Sequence, residues 1–138
     1  MYKTILVTLE ATPTDRAVID HVKRLAAIMQ SRVVLIHVAD GWAARQYGSD
    51  AVSPEVTQDR AYLEGVRNEF QTAGIDAEAE LAFGEPGREI IRWIDQKGCD
   101  LVAMSTHGHR FVGDLFLGST SRDVRHGSTV PMLLVRAT

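Results

Sequence analysis

The segment at residues 105–120 has the residue types and spacing best suited to binding a phosphate group. It contains Gly108, Gly113 and Gly118, two histidines, an arginine and a final Ser119-Thr120 pair. Glycine allows backbone angles at which successive N–H groups converge on an anion, and the start of a helix adds free amides and the positive end of its dipole. The spacing therefore predicts a phosphate-binding loop. A long loop that the glycines only shape is the alternative interpretation.

Two standard nucleotide motifs are missing from the sequence. No G-x-x-x-x-G-K-[ST] occurs, so there is no phosphate-loop lysine, and no G-x-G-x-x-G follows the first predicted strand. These absences exclude a motor-type NTPase and a dehydrogenase. Thr8, Thr12 and Thr14 form a hydroxyl-rich loop after that strand, which keeps an FMN-binding electron carrier as an alternative, although this loop contains no glycine.

Metal and hydrolase chemistry have weaker support. His107 and His109 are spaced as metal ligands can be, and Asp114 or His126 would complete such a site. Histidines of an exposed loop more often contact water or phosphate, so we expect no metal site. Ser105 near His107 suggests a nucleophile and a base, but the sequence has no G-x-S-x-G turn and places no acid to orient the imidazole. We therefore assign no catalytic residues.

Short β-rich runs alternate with helical patterns along the whole chain, and these elements must position the candidate loop. Helices are predicted to begin after the Thr12–Asp15 cluster, at Pro54 and after Glu85, and a short one covers residues 119–126. This alternation predicts a three-layer α/β sandwich, a parallel sheet with helices on both faces, formed by one domain at residues 1–138. The predicted strands are residues 4–9, 33–38, 75–83, 101–104 and 130–135.

The two middle runs indicate the order of the five strands. Residues 33–38 are almost wholly apolar, as in a strand buried on both faces, whereas Asp76, Glu78 and Glu80 lie along one face of the next strand, as at a sheet edge. This pattern favours the order 3-2-1-4-5 over 2-1-3-4-5. Strands one and four are then neighbours, and ligands bind beyond the carboxyl ends of strands at such a switch point. The predicted site is therefore residues 8–12 facing residues 105–120.

The glycine segment resembles the nucleotide-binding signature G-x2-G-x9-G-[ST] of the universal stress protein family, since nine residues separate Gly108 from Gly118-Ser119. The likeness extends from Ile5-Leu6-Val7 through residues 98–102 to the last strand. It implies the fold of the adenine nucleotide alpha hydrolase-like proteins and the branch of the family that binds ATP. Ser105 stands where the signature has its first glycine.

The resemblance also implies roles for individual residues, with ATP, accompanied by Mg²⁺, as the ligand. Thr8 and Glu10 would lie near the ribose and adenine, Ser105 against the ribose, and Val38 would offer its backbone to the adenine edge. Glu10 replaces the aspartate of the family. The residues implied at the phosphates are Gly108, His109, Arg110, Gly118, Ser119 and Thr120.

Charge and composition limit the other partners. The 138 residues carry a net charge of −3, from 15 basic and 18 acidic side chains, without a run of Lys or Arg. We therefore expect neither nucleic acid nor an anionic membrane as a partner. The one cysteine, Cys99, cannot form an internal disulfide, and we expect a cytoplasmic protein without an export signal or membrane span.

The last strand predicts a second copy of the chain as partner. Met132-Leu133-Leu134-Val135 is apolar and would lie at a sheet edge, where an uncovered strand invites pairing. The resemblance likewise implies a homodimer formed through this strand, from Val130 to Val135. The sequence thus favours a small dimeric regulatory protein that binds ATP, with at most weak ATP hydrolysis. A dimerising adaptor that binds no nucleotide is the main alternative.

Overall fold

The structure is a computed structural model that describes residues 1–39, 54–106 and 114–137, with the backbone alone for residues 114–119. Strands and helices alternate throughout these residues, as the sequence predicts. In chain order the elements are β1 (Thr4–Leu9), α1 (Asp15–Met29), β2 (Arg32–Ala39), α2 (Pro54–Thr72), β3 (Ala77–Phe83), α3 (Pro86–Lys97), β4 (Leu101–Thr106), α4 (Asp114–Gly127) and β5 (Met132–Arg136).

The strands form one sheet of order β3-β2-β1-β4-β5, and each pair of neighbours is parallel. This order confirms the prediction and differs from 2-1-3-4-5, the order of the FMN-binding flavodoxins. Val33, Val34 and Leu35 of β2 are fully buried, whereas most of β3 is only half-buried. The apolar run and the alternating run therefore identified the inner strand and the edge strand correctly.

Two apolar clusters hold the helices against opposite faces of the sheet. One face packs against α1 and α2, with Val18 and Phe70 at its centre, and the other packs against α3 and α4, with Ile94 and Val124. Burial of each large apolar side chain contributes about 1.5–3 kcal/mol. Within the described parts of the chain, every helix is too short or too polar to cross a membrane.

The turn before α3 shows how local sequence sets a helix boundary. The Glu85 carboxylate accepts hydrogen bonds from the amides of Gly87 (3.1 Å) and Arg88 (2.8 Å), and Pro86 occupies the first turn. Gly98 ends the helix in the left-handed conformation, with φ +63°. The predicted helix between these two turns is confirmed.

The start of α4 corrects the sequence prediction. The helix begins at Asp114 rather than at Ser119, so that Gly118 lies inside it. A glycine within a helix costs only about 1 kcal/mol, which the packing of the rest of the helix can outweigh, and an acidic residue suits a helix start. β4 is also longer than predicted, because Ser105 and Thr106 belong to the strand and not to the loop.

Candidate functional site

A crevice opens at the carboxyl end of the sheet between β1 and β4. β1 pairs with β2 as far as Leu9, and β4 pairs with β5 as far as Thr106. β1 and β4, however, pair with each other only as far as Val7 and Ala103. The two central strands therefore separate before either ends. This is the switch point at which open α/β sheets bind ligands.

The backbone of Val38 is directed toward β1, at the carboxyl end of the sheet. The Arg32 amide donates to the Lys3 carbonyl at 2.8 Å, and alternate residues of a parallel strand direct their backbone groups to the same neighbour. Val38 therefore faces the side of β1. Because the last paired residues of β1 and β2 are Leu9 and His37, the Val38 carbonyl lies beyond the end of their ladder. Val38 thus lies at the carboxyl end of the sheet, and its role toward a ligand stays a prediction.

The loop between β1 and α1 is organised by Asp15, which is fully buried. Its carboxylate accepts hydrogen bonds from the Glu10 amide (2.9 Å), the Ala11 amide (2.9 Å) and the Tyr62 hydroxyl (2.6 Å). Burial, together with the hydrogen bond to Asp15, raises the pKa of Tyr62, which keeps its hydroxyl a donor. Ala11 adopts φ +61°, a left-handed conformation that costs a non-glycine residue about 1–2 kcal/mol.

The side chain of Glu10 is held at the surface of the same loop. Its Oε2 accepts a hydrogen bond from the Thr14 hydroxyl at 3.2 Å, and the hydroxyls of Thr12 and Thr14 are 2.5 Å apart. Carboxylate oxygens are hydrogen-bond acceptors, which is the chemistry that a ligand hydroxyl or amine requires. Thr8 is half-buried at the end of β1, beside the point where the strands separate.

Ser105 joins the two sides of the crevice. It is 3% exposed, and its Oγ donates to the Thr14 carbonyl at 3.3 Å, which links β4 to the start of α1. The hydroxyl that replaces the family's glycine is thus directed to the protein backbone. Thr8, Glu10, Val38 and Ser105 therefore all lie at the carboxyl end of the sheet, and their roles toward a ligand stay predictions.

The remaining predicted residues are only partly described. Gly108, His109 and Arg110 lie outside the described residues. Gly118 and Ser119 are described by their backbone alone, and Thr120 is half-buried in α4. Gly118, Ser119 and Thr120 lie inside the helix rather than at its start. Free amides belong to the first four residues of a helix, which here begins at Asp114. The phosphate-binding roles of these residues stay predictions.

The sequence predicted neither the role of Asp15 and Tyr62 in this loop nor the pairing of His37 with Asp59. His37 Nδ1 is 2.8 Å from the Leu9 carbonyl, and its Nε2 is 3.4 Å from Asp59 Oδ2. Tyr62 and Asp59 are three residues apart on α2, and this spacing places them on one helix face. Among the described residues, three or more His, Cys, Asp or Glu side chains do not come together in a metal-binding arrangement. The candidate ligands His107 and His109 lie outside them.

Cys99 is a packing residue, as its position before a strand suggests. It is 5% exposed in the cluster beneath α3 and α4, and burial raises the pKa of its thiol to about 11. A thiol with that pKa stays protonated at neutral pH and is a poor nucleophile.

The sheet order and the crevice define the class of this protein: an open, parallel α/β protein with a crevice at the switch point between β1 and β4. The chain belongs to the universal stress protein family, whose family model matches residues 1–136. A relative named "Universal stress protein in QAH/OAS sulfhydrylase 3'region", from Thermus aquaticus, is 31% identical over 148 residues, which cover 99% of this chain and 100% of the relative.

Solved structures agree with this assignment. The structure of the protein MJ0577 superposes with a TM-score of 0.82 at 25% identity and covers 100% of this chain and 98% of that chain. A universal stress protein in complex with cAMP has a TM-score of 0.79 at 19% identity and covers 99% of each chain. The universal stress protein from Archaeoglobus fulgidus in complex with dAMP has a TM-score of 0.72 at 17% identity, covering 97% of this chain and 98% of that chain. The last two likenesses show the fold.

Proposed function

We propose that this protein binds ATP in the crevice between β1 and β4. The observation that carries the proposal is the early separation of these strands at Val7 and Ala103, with the Val38 carbonyl and the Glu10 carboxylate at the opening. Membership of the family supports it, as do the related structures that hold cAMP and dAMP. Both of those ligands carry the adenine base of ATP, joined to a ribose in cAMP and to a deoxyribose in dAMP.

The described residues offer acceptors that suit an adenosine. The Val38 carbonyl would accept from the adenine amino group, and Glu10 would accept from a ribose hydroxyl near Thr8 and Ser105. The phosphates and Mg²⁺ would then extend toward residues 108–120. Hydrogen bonds to charged groups contribute about 1.5–3 kcal/mol each, so three or four of them with a buried base suffice for a micromolar Kd, about −8 kcal/mol.

The test is release and rebinding of the nucleotide. Freshly purified protein is denatured and the released small molecules are separated by chromatography, and then apo protein is titrated with ATP and Mg²⁺, dAMP, cAMP and GTP. We expect adenine nucleotide in the released material and a Kd in the micromolar range for ATP, with GTP at least about tenfold weaker. Release of no adenine nucleotide, together with no binding up to millimolar ATP, would refute the proposal.

A matched pair of variants localises the site. Glu10→Gln keeps the shape of the side chain but removes its charge, and we expect about a tenfold loss of ATP affinity or more. Glu55→Gln makes the same change at an exposed position in the first turn of α2 and should leave the affinity unchanged. Equal affinities of the two variants would show that Glu10 does not contact the ligand.

We propose that the protein acts in the cytoplasm as a homodimeric regulatory protein with at most weak ATP hydrolysis. The dimer would form through β5, the last strand of the sheet order, where Leu134 is 50% exposed. Leu134→Lys places a charge in that edge and should weaken the dimer about 100-fold or more, measured by analytical ultracentrifugation. Ile28→Lys changes an apolar residue on α1 that is 77% exposed and should leave the dimer intact. If both variants dimerise like the wild type, β5 is not the interface.

The contact of Ser105 with Thr14 favours the second candidate, a dimerising adaptor that binds no nucleotide. This hydrogen bond ties β4 to the β1–α1 loop, at the mouth of the crevice. Ser105→Gly restores the residue of the family signature. A wild-type dimer that fails to bind ATP, together with a Ser105→Gly variant that binds it, would identify the protein as this adaptor.

A further inference from the structure

The path of the chain after β1 depends on one buried carboxylate. If β1 continued to pair with β2 beyond Leu9 and His37, the Ala11 amide would donate to the Val38 carbonyl. The Ala11 amide instead donates to Asp15 Oδ2 at 2.9 Å, and the Glu10 amide donates to the same carboxylate. Asp15 therefore turns the chain away from β2 and leaves the Val38 carbonyl beyond the end of the β1–β2 ladder.

Asp15 is in turn fixed by a helix that lies outside the crevice. The Tyr62 hydroxyl, on α2, donates to Asp15 Oδ2 at 2.6 Å, and Asp15 itself is fully buried. An open surface pocket of about 250 Å³ is lined by Ala11, Pro13, Tyr62 and three further residues. The hydrogen bonds of Asp15 thus connect the β1–α1 loop to α2.

We propose that Asp15 is a positioning residue of the ligand crevice and that Tyr62 couples its position to α2. The affinity of the crevice is then set partly by α2. By thermodynamic reciprocity, a bound ligand stabilises the contact of Tyr62 with Asp15 by the same coupling free energy. This inference rests on the proposed function for the ligand, but its effect on the loop is measurable without one.

The experiment uses the full chain in three single variants and in the double variant Asp15→Asn with Tyr62→Phe. Asp15→Asn replaces one acceptor oxygen of the carboxylate by an NH2 group, which cannot accept from the backbone amides. Tyr62→Phe removes only the hydroxyl. Tyr2→Phe removes a hydroxyl before β1, at the opposite end of the sheet. Hydrogen exchange at the amides of Glu10 and Ala11 is followed by NMR in the absence of ligand, and the Kd for ATP and the free energy of unfolding are measured beside it.

We expect exchange at these two amides to be faster in Asp15→Asn and in Tyr62→Phe, and unchanged in Tyr2→Phe. The affinity for ATP should fall about tenfold in Asp15→Asn, which is about 1.4 kcal/mol, and about threefold in Tyr62→Phe. The double variant should lose less than the product of the two, because both act through one hydrogen-bonded unit. Tyr62→Phe retains a packed ring, so it tests the proposal even where Asp15→Asn unfolds.

Three outcomes would overturn the inference. Exchange in Tyr62→Phe equal to that of the wild type would show that α2 does not hold the loop. Faster exchange with an unchanged affinity, or a loss of stability alone, would assign Asp15 and Tyr62 a structural role only. Failure of the wild type to bind any adenine nucleotide refutes the proposed function instead, and the exchange measurement still decides whether Tyr62 controls the loop.

Discussion

The helix pairs on the two faces of the sheet are joined in different ways. α1 and α2 meet through long charged side chains, since the Arg16 guanidinium lies 2.6 Å from Glu69 Oε2 and Lys23 binds the same carboxylate. α3 and α4 meet at close range, because a Cβ on Gly87 would lie 2.9 Å from the Cβ of Asp123. The first contact can lengthen or shift, whereas the second has no such freedom.

The contact between α1 and α2 can therefore adjust, whereas the contact between α3 and α4 cannot. The β1–α1 loop and its support on α2 belong to the charged pair of helices, so the side of the crevice that would hold the adenosine is the adjustable one. Exposed ion pairs contribute little each, whereas a close-packed contact resists any added volume. The predictions below test this contrast.

The largest effect is expected at the close contact. Gly87→Ala adds a methyl group against Asp123, which is anchored at its Cβ and cannot rotate away, and we expect a loss of about 2 kcal/mol in the free energy of unfolding. Denaturant titration followed by circular dichroism measures the change.

Gly65 supplies the matched control on the other pair of helices. It lies in α2, and a Cβ built there would meet no atom within 4 Å. Gly65→Ala should therefore stabilise the protein by up to about 1 kcal/mol through helix propensity. Changes of the same sign in the two variants would contradict the contrast between the layers.

The second effect is a pH dependence confined to the charged pair. The hydrogen bond from Arg16, strengthened by Lys23, lowers the pKa of Glu69 to about 2 from an ordinary 4.5. A carboxylate with a depressed pKa stabilises the fold above its unfolded pKa, and this stabilisation is lost as the pH falls from about 5 toward 2. Glu69→Gln should cost about 1 kcal/mol at pH 7 and nothing measurable near pH 2.

Glu64→Gln is the control for that pH series. Glu64 is exposed on α2 and pairs with Arg67 one turn along the same helix, so its loss leaves the contact between α1 and α2 intact. Its stability curve against pH should follow that of the wild type. An acid transition that is as steep in Glu69→Gln as in the wild type would show that Arg16 and Lys23 do not join the helices in solution.

The smallest effect concerns the strained residue of the loop. Ala11→Gly relieves the cost of φ +61° and should raise the free energy of unfolding by about 0.5–1 kcal/mol. Ala61→Gly, at an exposed position within α2, should lower it by a similar amount. Differential scanning calorimetry compares the two. A destabilised Ala11→Gly would mean that Ala11 is not held in the left-handed conformation.

The alternation of elements, the strand order and the location of the crevice were all predictable, because each depends on a local pattern. The unbroken apolar run of β2 and the alternating carboxylates of β3 identify an inner and an edge strand before any contact is known. The start of α4 was not predictable from the glycines. Gly118 lowers local helix propensity, but packing of the surrounding turns decides whether a helix continues through it.

The site divides in the same way. Thr8, Glu10 and Val38 follow strands directly, so a sheet of known order brings them to one edge. The direction of the Ser105 hydroxyl and the support of Asp15 depend on partners 91 and 47 residues away in the chain. Local sequence contains no signal for such pairs, because each hydrogen bond forms only after the helices have packed on the sheet.

The sequence by itself determined the class of fold, the switch point and the family, because these follow from periodicity and from the spacing of a few glycines. Only the tertiary structure decided that the Ala11 amide binds Asp15 and leaves the Val38 carbonyl beyond the end of the β1–β2 ladder. It also decided that Tyr62 lies within reach of that carboxylate. A buried carboxylate needs hydrogen-bond donors in place of water, and only the packing of the helices on the sheet determines which donors lie within reach.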